Sequence, residues 1–94
     1  MDILLVLLSK KAERDLKKVP YYIADKFQFW VDVVENEGLQ ESRKIKSFHD
    51  EPLRGKRQGQ RSIRLSRAYR AIYRVDNQGT PEIVEVLEVN KHDY

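Results

Sequence analysis

The hydrophobic positions change their period twice along the chain, and the changes divide it into elements. Ile3 to Leu8 is an unbroken apolar run, which reads as a buried strand. Ser9 then has the character of a helix N-cap. Beyond it Ala12, Leu16 and Val19 mark an apolar face, and Arg14, Asp15, Lys17 and Lys18 a polar one. Pro20 interrupts this pattern and suits the first turn of a second helix. There Ile23, Phe27, Trp30, Val31 and Val34 recur at helical spacing, and Gly38 ends the stripe. The two helices form a hairpin. A shorter helical turn follows through Leu39 to Ile45, which does not alternate as a strand would.

From Ser47 to Gly59 the chain holds Pro52, Gly55 and Gly59 with few apolar residues, the pattern of a loop. After it the period becomes two. Arg61 to Leu65 alternates, Ser66-Arg67-Ala68 turns, Tyr69 to Val75 alternates again, Asp76-Asn77-Gln78-Gly79 has hairpin chemistry, and Ile83 to Val89 is a Val-rich last strand. The expected fold is α+β: a small antiparallel sheet in the order strand-helix-helix-strand-strand-strand, with the helix hairpin packed on one face. A length of 94 residues supports one core, so 1–94 is read as a single domain.

Alternation also assigns the sheet faces. Ile63, Leu65, Ala71 and Tyr73 belong under the helices, with Arg61 on the same side of its strand. Arg64, Arg70 and Arg74 then share the open face. Their ordinary explanation would be ion pairs with Glu82, Glu85 or Glu88 of the last strand, and Arg74 fits that best.

Charge sharpens the picture. The formal net charge is only +3, yet Arg43 to Arg74 carries eleven Lys or Arg against two acids, Asp50 and Glu51. Eight of those bases are Arg, whose planar fork of donors matches phosphate oxygens. A +9 block beside a −6 remainder suits a polyanion on one face. With no cysteine the chain has neither disulfide nor thiolate metal site, which fits a reducing cytoplasm. The opening apolar run is too short for a membrane span. No His/Asp cluster has metal-ligand spacing, so neither metal nor cofactor is expected. Two further places carry chemistry. The tail holds His92, whose residue type exchanges protons near neutral pH, and the aromatic Tyr94. In the loop His49-Asp50-Glu51-Pro52, proline stiffens the backbone just after a carboxylate.

Three stretches together, Glu51-Pro52-Leu53-Arg54-Gly55, Gly59-Gln60-Arg61-Ser62-Ile63-Arg64-Leu65 and Tyr69-Arg70-Ala71-Ile72-Tyr73, resemble the RelE/ParE toxin superfamily. Within it they resemble the messenger-RNA interferase branch (RelE, YoeB, HigB) more than the gyrase-poisoning ParE branch. The resemblance covers essentially the whole chain. It implies a toxin of a type II toxin–antitoxin module that cleaves messenger RNA, usually in the ribosomal A site, and that a cognate antitoxin silences. With the charge pattern it implies Glu51 or His92 as general base, Arg70 and Arg64 as charge stabilisers, His92 or Arg70 as acid, and Tyr94 as a group that stacks on or orients a base. Ser62 stands where RelE places a lysine. Arg54, Lys56, Arg57, Arg61, Arg67 and Lys91 are the expected RNA-binding cations. Two other readings stay open: a ParE-like inhibitor of DNA gyrase acting by binding, and a nucleic-acid-binding module without catalysis.

Overall fold

In the computed structural model, which describes residues 4–79 and 81–91, the elements run β1 (Leu4–Leu8), α1 (Lys10–Leu16), α2 (Tyr21–Glu37), α3 (Leu39–Arg43), β2 (Glu51–Pro52), β3 (Arg61–Arg64), β4 (Tyr69–Asp76) and β5 (Glu82–Lys91). Short 3₁₀ turns, Lys46–Phe48 and Gly55–Arg57, flank β2. The strands form one five-stranded sheet in the order β1-β5-β4-β3-β2.

The expected α+β architecture holds, with one correction to the sheet. β3, β4 and β5 form the antiparallel meander, but β1 lies parallel to β5, Leu4 opposite Glu82 through Leu8 opposite Val86. The sheet is therefore mixed. β1 and β5 are separated in the chain by the helices and by β2, β3 and β4, and that long connection lets them run in the same direction, which a tight turn cannot do. The loop reading of 47–59 also needs amendment, because Glu51 and Pro52 pair with Ser62 and Arg61 as an edge strand. Proline is tolerated there because an edge strand leaves N–H positions that no neighbour needs.

Ser9 caps α1 as its type suggests. Its hydroxyl oxygen accepts from the Ala12 N–H at 3.0 Å, and the hydroxyl donates to the Leu87 carbonyl at 2.7 Å, tying the helix start to β5. In α2 the stripe Ile23, Phe27, Trp30 and Val34 is buried, together with Val33. Trp30 packs against Phe27 and against Tyr73 of β4, with ring centroids 5.9 and 5.2 Å apart. Gly38 ends the helix at φ 95°, a backbone state that costs a residue with a Cβ but not glycine.

Ile63, Leu65, Ala71 and Tyr73 join the core beneath the helices, as their alternation requires. The first strand is buried on one side only: Leu4 and Val6 pack on the core while Leu5 and Leu7 are exposed. Ile3 lies outside the described residues. The outer edge of β1 is closed at one point, where the Val6 N–H donates to the Glu35 carboxylate of α2 at 3.0 Å.

Candidate functional site: an arginine cleft facing a histidine–glutamate pair

Strand register decides which cations meet. Arg64 of β3 stands directly opposite Arg70 of β4, and Arg70 is opposite Asn90 of β5. Like charges in directly opposed positions repel, so such a pair normally recruits an acid. Arg74 has done so, its Nε lying 2.7 Å from Glu85. Arg64 and Arg70 have not: among the described residues neither joins an ion pair, and the Nε of Arg70 is buried without a hydrogen-bond partner. These two arginines, Arg67 and Ser62 line a cleft whose other wall is His49 and Glu51.

That wall is built by a local device. The 3₁₀ turn Lys46–Phe48 ends at His49, which has φ 45° and ψ 52° in the left-handed region. The reversal sends the chain into β2, where Glu51 sits across from Ser62. Histidine is among the residue types that tolerate this backbone state. The His49 Nε2 then lies 3.3 Å from a Glu51 carboxylate oxygen, and both side chains are about half exposed at the mouth of the cleft.

Between them, Asp50 points the opposite way. Its side chain is 1% exposed, accepting from the Arg61 Nε at 2.6 Å and from the Tyr73 hydroxyl at 2.6 Å. Burial raises the Tyr73 pKa and the bond to Asp50 raises it further, to about 12. For Arg61, burial alone would lower the pKa, but the hydrogen bond and charge of Asp50 raise it overall. One acid of the loop is thus an anchor in the core, and its neighbours are presented to solvent.

The expected site residues divide accordingly. Glu51, Arg64, Arg70 and Arg67 come together at the cleft, and Arg54, Lys56 and Lys91 are exposed. Arg61, expected among the RNA-binding cations, instead has its guanidinium bonded to Asp50 on the covered side of the sheet. Arg57 is likewise engaged, bonding Gln60 and Glu88. Glu88 is the register neighbour of Ile72, and with Arg57 reaching across to it that stretch of the open face is closed and Ile72 is fully buried. His92 and Tyr94 lie outside the described residues. The sequence singles out the loop His49-Asp50-Glu51-Pro52 for its Glu51 carboxylate, with no role given to His49 or Asp50. Asp50 had a signal, since an arginine on the helix-covered side of β3 needs a buried anion. Among the described residues no group of three or more potential ligands is placed to hold a metal ion, and no helix is long and apolar enough to cross a membrane.

A mixed sheet with a helix hairpin on one face and an arginine cleft on the other defines a protein of the RelE/ParE toxin class. The chain belongs to the family described as ParE toxin of type II toxin–antitoxin system, which its residues 6–93 match. No curated protein sequence matches it. Among solved structures it is similar to the RelBE2 toxin–antitoxin complex from Mycobacterium tuberculosis, at 26% identity and a TM-score of 0.66, covering 93% of this chain and 95% of that one. YafQ from Escherichia coli superposes with a TM-score of 0.74 at 14% identity, covering 94% of this chain and 92% of that one. The YoeB–YefM complex from Staphylococcus aureus gives a TM-score of 0.71 at 18% identity, with 96% and 98% covered.

Proposed function

We propose that this toxin is an endoribonuclease that cleaves messenger RNA through its own side chains, without a metal. The observation that carries the reading is the directly opposed Arg64–Arg70 pair, unneutralised by any described acid, facing an imidazole–carboxylate pair across one cleft. A cation pair left in repulsion favours an anion between its members, and a phosphodiester has the charge and the oxygens to occupy that place.

The chemistry follows from the roles available. Glu51, oriented by His49, takes the proton of an RNA 2′-hydroxyl. The 2′-oxygen forms a bond to the adjacent phosphorus and the bond from phosphorus to the 5′-oxygen breaks. Arg64 and Arg70 neutralise the extra negative charge on the crowded phosphorane. The leaving 5′-oxygen takes a proton from His92, and the products are a 2′,3′-cyclic phosphate and a 5′-hydroxyl. Tyr94 stacks on a neighbouring base.

The partners in this reading are translated messenger RNA in the ribosomal A site and a cognate antitoxin whose acidic segment offsets the basic block. The setting is the cytoplasm. The experiment is to add the purified chain to translating ribosomes and to free message, then map the new 5′ ends and test for cyclic phosphate. Cuts in frame with codons support the ribosome-bound form, and scattered cuts support a free nuclease. Intact RNA in both arms overturns the reading. The family match to ParE toxins favours one second reading, inhibition of DNA gyrase by binding alone. On that reading Glu51→Gln leaves toxicity intact, and the chain blocks supercoiling in a purified gyrase reaction.

A further inference from the structure

Helix α1 carries a cationic face that the cleft does not use. Among the described residues Lys10, Arg14, Lys17 and Lys18 are exposed and join no ion pair, whereas Lys11 is held by Asp15. The exposed acids nearby are Glu13 on the same helix and Asp25 at the start of α2. Directly after this run come Tyr21 and Tyr22, which are 80% and 57% exposed and meet edge to face at 6.2 Å. Two large aromatic rings left in water directly after this basic run need a reason, since burial of either would be favourable.

The placement of α1 supplies one. Its first residues are bonded beside Val86 and Leu87 of β5, through the Ser9 N–H at 2.9 Å and the Ser9 hydroxyl. Its last turn is bonded beside Val89, whose N–H donates to Asp15 at 3.0 Å. The helix therefore advances along β5 toward Lys91, which puts its basic C-terminal turn at the end of the sheet where the cleft is, with Tyr21 and Tyr22 following directly in the chain. Across that end the register gives Arg64, Arg70 and Asn90, with α1 next on the outer side of β5.

We infer that the α1–α2 tip is a second RNA-binding surface, which holds the single-stranded flank of an RNA whose reacting phosphate sits in the Arg64–Arg70 cleft. The inference rests on the nuclease reading for what occupies the cleft. Arg14, Lys17 and Lys18 contact successive phosphates, and Tyr21 and Tyr22 offer faces on which unpaired bases stack. Single-stranded RNA fits this surface better than duplex, because stacked and paired bases present no free faces to the rings.

The test uses the full chain and 2′-O-methyl RNA, which lacks the attacking hydroxyl and so separates binding from cutting. Oligonucleotides of about 4 and about 16 nucleotides bracket the span of a single-strand site. The longer RNA is expected to bind more tightly. Replacing Arg14, Lys17 and Lys18 with Ala together should reduce the slope of log affinity against log salt by about 2 for the longer RNA, at about 0.7 per lost phosphate contact. The shorter RNA should bind as before. Tyr21→Ala should weaken the longer RNA about tenfold at fixed salt, the loss of one stacked base. Equal affinity of the wild-type chain for both lengths overturns the inference, as does an unchanged salt slope in the triple variant. So does competition by polyglutamate as effective as competition by RNA, which would make the face a general polyanion surface. Because methylated RNA is never cut, a positive result stands even if the chain proves to cleave nothing, and cleavage without length dependence sinks this inference alone.

Discussion

Asp50 offers the sharpest test of how the site is held together. Its carboxylate is buried and serves Arg61 and Tyr73 at once, while the residues on either side form the wall of the cleft. Asp50→Ala would leave a guanidinium and a fully buried tyrosine without their partner. Removing one member of a buried pair costs about 3–5 kcal/mol. The Arg61 side chain is 26% exposed, so water reaches it and the lower end of that range applies. Asp50→Asn keeps one acceptor oxygen but removes the charge, and a hydrogen bond to a charged group contributes about 1.5–3 kcal/mol. A domain with a stability of about 5–15 kcal/mol survives the second change, which makes Asn the informative variant.

The functional consequence is separable from the stability loss. A loop tied down only by the remaining contacts lets His49 and Glu51 drift, and displacement of a catalytic group by about 1 Å can cost about 10²-fold in rate. Asp50→Asn should therefore shift the urea midpoint downward and slow single-turnover RNA cleavage under conditions where the variant is fully folded. Tyr73→Phe leaves the Asp50–Arg61 bond intact, so it should lose about 1 kcal/mol and little of the rate. An Asp50→Asn chain that unfolds at the wild-type urea concentration would refute the anchoring argument. So would one that is destabilised yet cleaves at the wild-type rate.

Other expectations follow from the same geometry. Glu51→Gln and Arg70→Ala should each slow cleavage at least about tenfold without lowering the melting temperature, since general acid–base help is typically about 10²- to 10⁴-fold and neither side chain holds up the core; a fall in melting temperature matching the fall in rate would reassign them to structure. Arg64→Met removes the repulsion of a directly opposed like-charged pair, so it should stabilise the free protein by about 0.2–1 kcal/mol in urea unfolding while weakening RNA binding. The Tyr73 pKa is raised to about 12, above the ordinary value of 10.0, so the folded chain keeps this proton more tightly than the unfolded one. The stabilisation is complete below pH 10.0 and is lost as pH rises toward about 12, and Tyr73→Phe should flatten that part of the stability profile relative to wild type. Burial alone would raise the pKa of Asp15, but bonds from the Val89 N–H and Lys11 outweigh it and hold the carboxyl below its usual 3.8. That contribution is present above pH 3.8 and disappears as pH falls through the lowered value, so Asp15→Asn should reduce the acid sensitivity of unfolding.

Much of the fold was legible because local chemistry and tertiary demand agree. Ser9 is a capping type at a helix start, the α2 stripe has helical spacing, and the meander alternates with period two between turn-forming residues. What escaped was decided by partners far away in sequence. The apolar run of β1 does not announce that Leu5 and Leu7 face outward, because strand composition is silent on which side the helices will cover. Nor does it specify β5 as a parallel neighbour, a pairing decided by how the helices and the three intervening strands bring β5 back beside it. The edge strand β2 is two residues long and contains proline, which reads locally as a loop and becomes a strand only through its pairing with β3.

The site divides along the same line. Period-two alternation was enough to put Arg64 and Arg70 on one face, since it fixes which way each side chain points within its own strand. Their direct opposition needs the β3–β4 register, which the short turn between the strands sets, and with it comes the repulsion on which the proposed phosphate site rests. The loop shows the reverse case. In the sequence the Glu-Pro-Leu motif singles out Glu51, but nothing local gives its neighbour Asp50 the part of an anchor. Arg61 settles it, because an arginine on the helix-covered side of β3 must draw one carboxylate inward. Once Asp50 is taken, the left-handed turn at His49 and the entry into β2 put His49 and Glu51 together on the outside. Arg61, expected as a binding cation, is thus the residue that anchors Asp50 and with it the loop that faces Arg64 and Arg70 across the cleft.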